Sequence, residues 1–147
     1  MAARQEHRKG KSGDPADAAI PGEEATFRAD KLTEAIIGGV IRVHSTLGPG
    51  FVESIYRRAL VLELSRGGLA VEPEREIDVF YLGERVGWHR MDLVVERKVI
   101  VELKAVEKLV SAHYAQLRSC LKASRLIVGL LVNFGGSRAD YRRVHPV

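Results

Sequence analysis

From Asp30 onward apolar residues recur at three- and four-residue steps. Leu32, Ile36, Val40, Val43 and Leu47 mark one face of a helix, and "LGPG" at 47–50 ends it. A second helix follows from Phe51 to about Arg66. Phe51, Ile55, Ala59 and Leu62 define one face of it, Glu53, Tyr56 and Leu60 lie on a neighbouring stripe, and Gly67-Gly68 is the stop. The period then changes to two. "REIDVFYLG" (75–83) alternates Ile77, Val79 and Tyr81, "GERVG" turns into a strand at about 88–95, and "ERK" separates that strand from another at 99–105. Residues 108–124 are helical, with Leu109, His113, Gln116 and Cys120 on one face. "RLIVGLLVNF" (125–134) reads as a buried strand, and a short extended piece is expected at 140–145. The order α-α-β-β-β-α-β describes one mixed α/β domain at 29–147. Residues 1–28 hold almost no large apolar side chain, so they are expected to form a disordered polar tail.

Two apolar runs are interrupted by charge. In "DLVVERKVIVELKAV" (92–106), Asp92 opens the first run, and Glu102 and Lys104 sit in the second. Charges inside an apolar strand are costly unless paired or bound to metal. If Glu96, Arg97 and Lys98 form the loop, Val95 opposes Val99, Leu93 opposes Val101, and Asp92 falls opposite Glu102. Opposed residues share a face with Cβ atoms about 5 Å apart. Lys104 shares that face and lies opposite Arg90. A loop one residue longer or shorter would send Asp92 to the other face. Two adjacent carboxylates call for a proton or a cation between them. Mg²⁺ or Mn²⁺, which take oxygen ligands, would meet that need, and Lys104 beside the ion suits phosphodiester hydrolysis. A bare acid–lysine ion-pair cluster is the competing reading of the same three residues.

Composition narrows the field without deciding it. The net charge of +4 permits a polyanionic partner, and because charges cancel within 1–28 it belongs to the folded part. A lone Cys120 excludes an internal disulfide, and no Cys/His spacing fits a zinc or iron–sulfur site. The longest apolar stretch, 126–132, is too short to span a bilayer, and the basic, polar start lacks a secretory core; a cytoplasmic protein is expected. "GPGFVE" follows a helix and has no downstream Lys-Ser pair, so it reads as a turn rather than a phosphate loop. His44 and His113 read as packed or hydrogen-bonded histidines, and Trp88, bordering the site, could stack on a base or close the core, with the core reading ahead. Arg138, Arg142 and Arg143 form a solvated basic cluster that could meet phosphates.

The pattern Asp92-x9-Glu102-x-Lys104, followed by a helix bearing Gln116, resembles the PD-(D/E)XK nuclease superfamily. More narrowly, Gly50, Glu53 and Tyr56 in "GPGFVESIY" match the signature of the GxxExxY family. "VHSTLGPG", "YLGERVG", "RMDLVVE", "VELKAVEKL", "HYAQL" and "GLLVNFG" are similar to its blocks, in order, from about 32 to 144. The resemblance implies a restriction-endonuclease-like core, a central mixed sheet flanked by helices. It implies a metal-dependent nuclease in which Asp92, Glu102 and the Leu103 carbonyl hold Mg²⁺ or Mn²⁺ and Lys104 is catalytic. Glu53 would add a ligand or hold a water, and Gln116 would orient water or phosphate, with His113 a neighbour. Cys120 stands where the family often has Tyr, so it supplies no hydroxyl and reads as core filling. The expected substrate is nucleic acid, DNA ahead of RNA, with no membrane and with a homodimer or protein partner as a further expectation. A non-cleaving nucleic-acid- or partner-binding module on the same fold is the second function class.

Overall fold

A computed structural model describes residues 21–146, with side chains from residue 30. The elements are α1 (Pro21–Leu47), α2 (Glu53–Arg66), β1 (Val71–Tyr81), β2 (Glu84–Val95), β3 (Val99–Lys104), α3 (Ser111–Ser124), β4 (Val128–Asn133) and β5 (Asp140–Val144). The sequence order holds, and the extended piece at 140–145 is a fifth strand. One expectation needs correction: α1 begins ahead of Asp30, so the backbone at 21–28 is helical rather than part of a tail. Pro21, with no N–H to satisfy and a fixed φ, suits the first position of a helix. The rest of the expected tail, 1–20, lies outside the described residues.

The five strands run in the order β1-β2-β3-β4-β5. β3 and β4 are parallel, joined by the α3 crossover, and the other neighbours are antiparallel. Helices cover both faces, which makes the sheet the middle of three layers. On one face Ile36, Val40 and Val43 of α1 and Tyr56, Leu60 and Leu64 of α2 pack on Leu93, Val95, Val101, Leu103 and Val132. Leu117, Cys120 and Leu121 of α3 pack on Val94, Ile100 and Leu131 on the other face. The two helices of the first face approach closely at Gly39, where a Cβ would come within 2.7 Å of the Leu64 side chain.

Of the two apolar stripes of α2, the one bearing Tyr56, Leu60 and Leu64 faces the core, and Phe51, Ile55 and Leu62 are exposed. The helix carries apolar residues on both stripes, and contact with α1 and the sheet selects between them. Trp88, expected in the core, is 51% exposed on the outer part of the β1–β2 hairpin. Arg90 pairs in register with Glu76 of β1, and on the other side the β2–β3 ladder ends at Leu93↔Val101, before it reaches Arg90 and Lys104.

Candidate active site

The turn between β2 and β3 is tight. Glu96 and Arg97 both have positive φ, at 53° and 55°, and Lys98 N–H donates to the Val95 carbonyl at 3.0 Å. Consecutive left-handed residues match the twist of the flanking strands. The resulting register is the one the loop count required: Val95↔Val99, Val94↔Ile100 and Leu93↔Val101. Backbone pairing stops there. At the next pair, side chains replace the ladder. Asp92 Oδ2 accepts the Leu103 N–H at 2.8 Å, and Glu102 Oε1 lies 3.4 Å from the Asp92 N–H. Each carboxylate therefore reaches for the backbone of the opposite strand, and the two acids stand side by side where the strands begin to part.

The strand itself is irregular at this point. Leu93 and Val95 face the first core and Val94 the second, yet Met91 also joins the second, so alternation breaks at Asp92. β1 mirrors the break. Its register runs Pro73↔Leu93 and Arg75↔Met91, skipping Glu74 and Asp92, and Glu74 has φ of 53°.

Burial and repulsion shape the electrostatics. Glu102 is only 3% exposed, and burial, then the charge of Asp92, push its pKa up to about 8 against the help of Lys104. Glu53, the first residue of α2, is also raised, by burial and then by Asp92, with Lys104 and Arg57 opposing. Lys104 Nζ donates to Gln116 Oε1 at 3.3 Å, which brings the α3 residue to the lysine. The sequence-identified residues Asp92, Glu102, Leu103 and Lys104 thus meet at the fork, Gln116 reaches it through Lys104, and Glu53 lies within electrostatic range. His113 does not join them, because its Nδ1 accepts the Val110 N–H at 3.1 Å and caps the start of α3. Cys120 packs in the α3 core, where burial, then Glu102 and Asp92, push its thiol up to about 11.

The Gly50-x-x-Glu53-x-x-Tyr56 stretch has a structural logic. Tyr56 is fully buried and stacks on Phe134 with centroids 4.5 Å apart. Its hydroxyl donates to the Gly48 carbonyl at 2.5 Å and accepts the Phe51 N–H at 3.2 Å. Gly48 and Gly50 have φ of 69° and 110°, which other residues rarely adopt. The latch fixes the turn that delivers Glu53. His44 is packed as expected, its Nε2 2.9 Å from the Gly136 carbonyl and its ring stacked with Phe134.

Three residues at or beside the site escaped the sequence reading. Arg57 bridges Glu74 and Asp92, with Nη2 3.1 Å from the first carboxylate and Nη1 3.8 Å from the second. Its place four residues after Glu53 was the available signal. Glu74, its anchor, sat in a run of alternating charges with nothing to distinguish it. Asn133, at the end of β4, closes the loop beyond Lys104: its Nδ2 donates to the Val106 carbonyl and its Oδ1 accepts the N–H groups of Val106 and Gly135. Of the basic cluster, Arg142 is paired with Asp140 and Arg143 with Asp30. Arg138 lines a cavity of about 440 Å³ with His44, Ser45 and Tyr141.

The model of the PD-(D/E)XK nuclease superfamily matches residues 30–144. The chain belongs to that superfamily. Comparison with curated proteins gives no match. Among solved structures, the chain is similar to the crystal structure of SSO0001, at 20% identity and a TM-score of 0.49, over 83% of this chain and 61% of that one. It therefore spans less than two thirds of that protein's length.

The donor set at the fork of this PD-(D/E)XK chain fits a hard divalent cation. Two converging carboxylates, one buried and resisting ionisation without a counter-charge, are what such an ion stabilises. Among the described residues no group of three or more His, Cys, Asp and Glu side chains converges, so the acids form a pair and Glu53 stands apart from it. No helix of the described residues is long and apolar enough to cross a membrane.

Proposed function

We propose that the chain is a metal-dependent nuclease that hydrolyses phosphodiester bonds in nucleic acid, DNA ahead of RNA, and that within its superfamily it belongs to the GxxExxY branch. The observation that carries the reading is the Asp92–Glu102 pair across the open end of β2 and β3, with Lys104 alongside. Asp92 and Glu102 would hold Mg²⁺ or Mn²⁺, with the carbonyl of Leu103 as a further oxygen. That carbonyl leaves the strand on the same edge as the N–H that reaches Asp92, since a strand residue directs both groups to one side. When bound there, such an ion would supply charge neutralisation at phosphate oxygens and Lewis-acid activation of water.

The remaining roles follow from contacts. Gln116 holds the Lys104 ammonium by its amide oxygen, so the lysine sits beside the acids ready to stabilise negative charge developing on the phosphate. Glu53, at the first turn of α2 with burial and Asp92 raising its pKa, would add a ligand or hold a water at the rim. Cys120 takes no part, since a thiol pushed up to about 11 is not a nucleophile near neutral pH.

The test is incubation of purified protein with DNA and RNA, single- and double-stranded, in Mg²⁺ or Mn²⁺. Cleavage is expected in metal and absent in chelator, and Asp92→Ala or Lys104→Ala should lower it by about 10²-fold or more while the chain stays folded. Cleavage that survives both substitutions would refute the mechanism.

A further inference from the structure

Arg57 is a cation held between two acids on the Asp92 side of the fork. Its side chain is 17% exposed. The contact to Glu74, at 3.1 Å, is the anchor; the contact to Asp92, at 3.8 Å, is loose enough for an anion to enter. Glu74 is itself unusual. It holds a left-handed φ of 53°, a conformation that a non-glycine residue adopts only at a cost, and it sits where β1 skips a pair opposite Asp92. It also draws Arg90, whose Nη2 lies 3.6 Å away. One strained acid thus gathers two arginines at the rim of the acid pair. Beside them the flank of α2 and β1 opens into a recess of about 380 Å³, lined by Arg57, Arg58, Val61, Leu62, Pro73 and Glu74.

Asp92 does not need Arg57 to hold its position, because Oδ2 already takes the Leu103 N–H. A guanidinium offers five donors in a planar fork that matches phosphate, and only two nitrogens of this one are engaged. We propose that Arg57, positioned by Glu74, contacts a backbone phosphate of the nucleic-acid substrate at the Asp92 side of the fork, opposite Lys104. The proposal rests on the nuclease reading and adds a substrate contact to it. The recess then marks the direction in which the strand leaves the site.

Binding is measured without metal, so that turnover plays no part. A labelled short mixed-sequence DNA duplex, its single strand and the corresponding RNA are titrated in EDTA across a salt series. Arg57→Gln should weaken the tightest of these by about tenfold and lower the log–log salt slope by about one, as the loss of one phosphate contact requires. The same loss should appear in an Asp92→Asn background, where Asp92 no longer carries a charge for Arg57 to mask. Arg57→Lys, which keeps the charge but not the fork, should bind more weakly than the natural chain with an unchanged slope. Equal affinity for Arg57→Lys overturns the proposal even if Arg57→Gln does not fold. A loss that vanishes in the Asp92→Asn background also overturns it, since Arg57 would then only mask Asp92. Binding by the natural chain with no change in Arg57→Gln sinks this inference alone, whereas no binding of any probe by the natural chain sinks the nucleic-acid reading and this one with it.

Discussion

Strands β2 and β3 behave differently along one shared length. Near the turn, Val95, Val94 and Leu93 pair backbone to backbone with Val99, Ile100 and Val101, and every one of these side chains is buried. One residue further on, Asp92 and Glu102 replace that ladder with carboxylates. The closed half satisfies its polar groups internally and fills both cores. The open half frees a short stretch of backbone and stocks it with acids, a lysine and an arginine. The buried core is concentrated in the first half and the proposed chemistry in the second, although the two are adjacent residues on the same strands.

Mutations on either side of that boundary should separate the two properties. Leu93→Ala, in the closed half, should destabilise by about 2–5 kcal/mol through lost burial and a cavity. Urea unfolding checks this, and a loss smaller than that of an exposed site such as Leu62→Ala would blur the contrast.

Glu102→Gln, in the open half, should do the opposite in metal-free protein. The Glu102 pKa is raised to about 8 from 4.5, so the folded state binds the extra proton between those values. Its contribution to stability is full below about pH 4.5 and is lost as pH rises through about 8. The natural chain in EDTA should therefore be less stable at about pH 9 than at about pH 5 by a term on the order of 4 kcal/mol. Glu102→Gln should remove most of that slope while abolishing cleavage. A slope unchanged in the variant would show that the acid pair is not the source.

Much of this contrast is legible in the sequence. Counting three residues for "ERK" fixes the register, because side-chain alternation makes any other count invert the faces. Counting cannot show that the ladder stops at Leu93, and for that reason it placed Arg90 opposite Lys104. A regular strand is assumed by arithmetic, whereas the kink at Asp92 and the positive φ of Glu74 arise from packing and charge together. The same limit applies to α2. Phe51, Ile55 and Leu62 are as apolar as Tyr56, Leu60 and Leu64, and packing against α1, closest at Gly39, and against the sheet decides which stripe is buried. Arg57 is hidden for a third reason: its partners lie on β1 and β2, distant in sequence.

Tyr56→Phe gives the smallest expected effect and sharpens the contrast from outside the strands. It keeps the stack on Phe134 but loses both hydroxyl contacts to the Gly48–Phe51 turn. A cost of about 1–2 kcal/mol in unfolding free energy is expected, together with reduced cleavage because the turn delivers Glu53. Unchanged stability and cleavage would mean that the stack alone holds the helix start.

Calorimetric titration of Mn²⁺ into the natural chain, Asp92→Asn and Glu102→Gln tests the central claim most directly. The account predicts saturable binding by the natural chain, accompanied by proton release near neutral pH as Glu102 ionises. It also predicts affinity weakened by about tenfold or more in each variant. No measurable Mn²⁺ binding by the natural chain, with or without nucleic acid, would contradict it, as would binding that both variants retain in full.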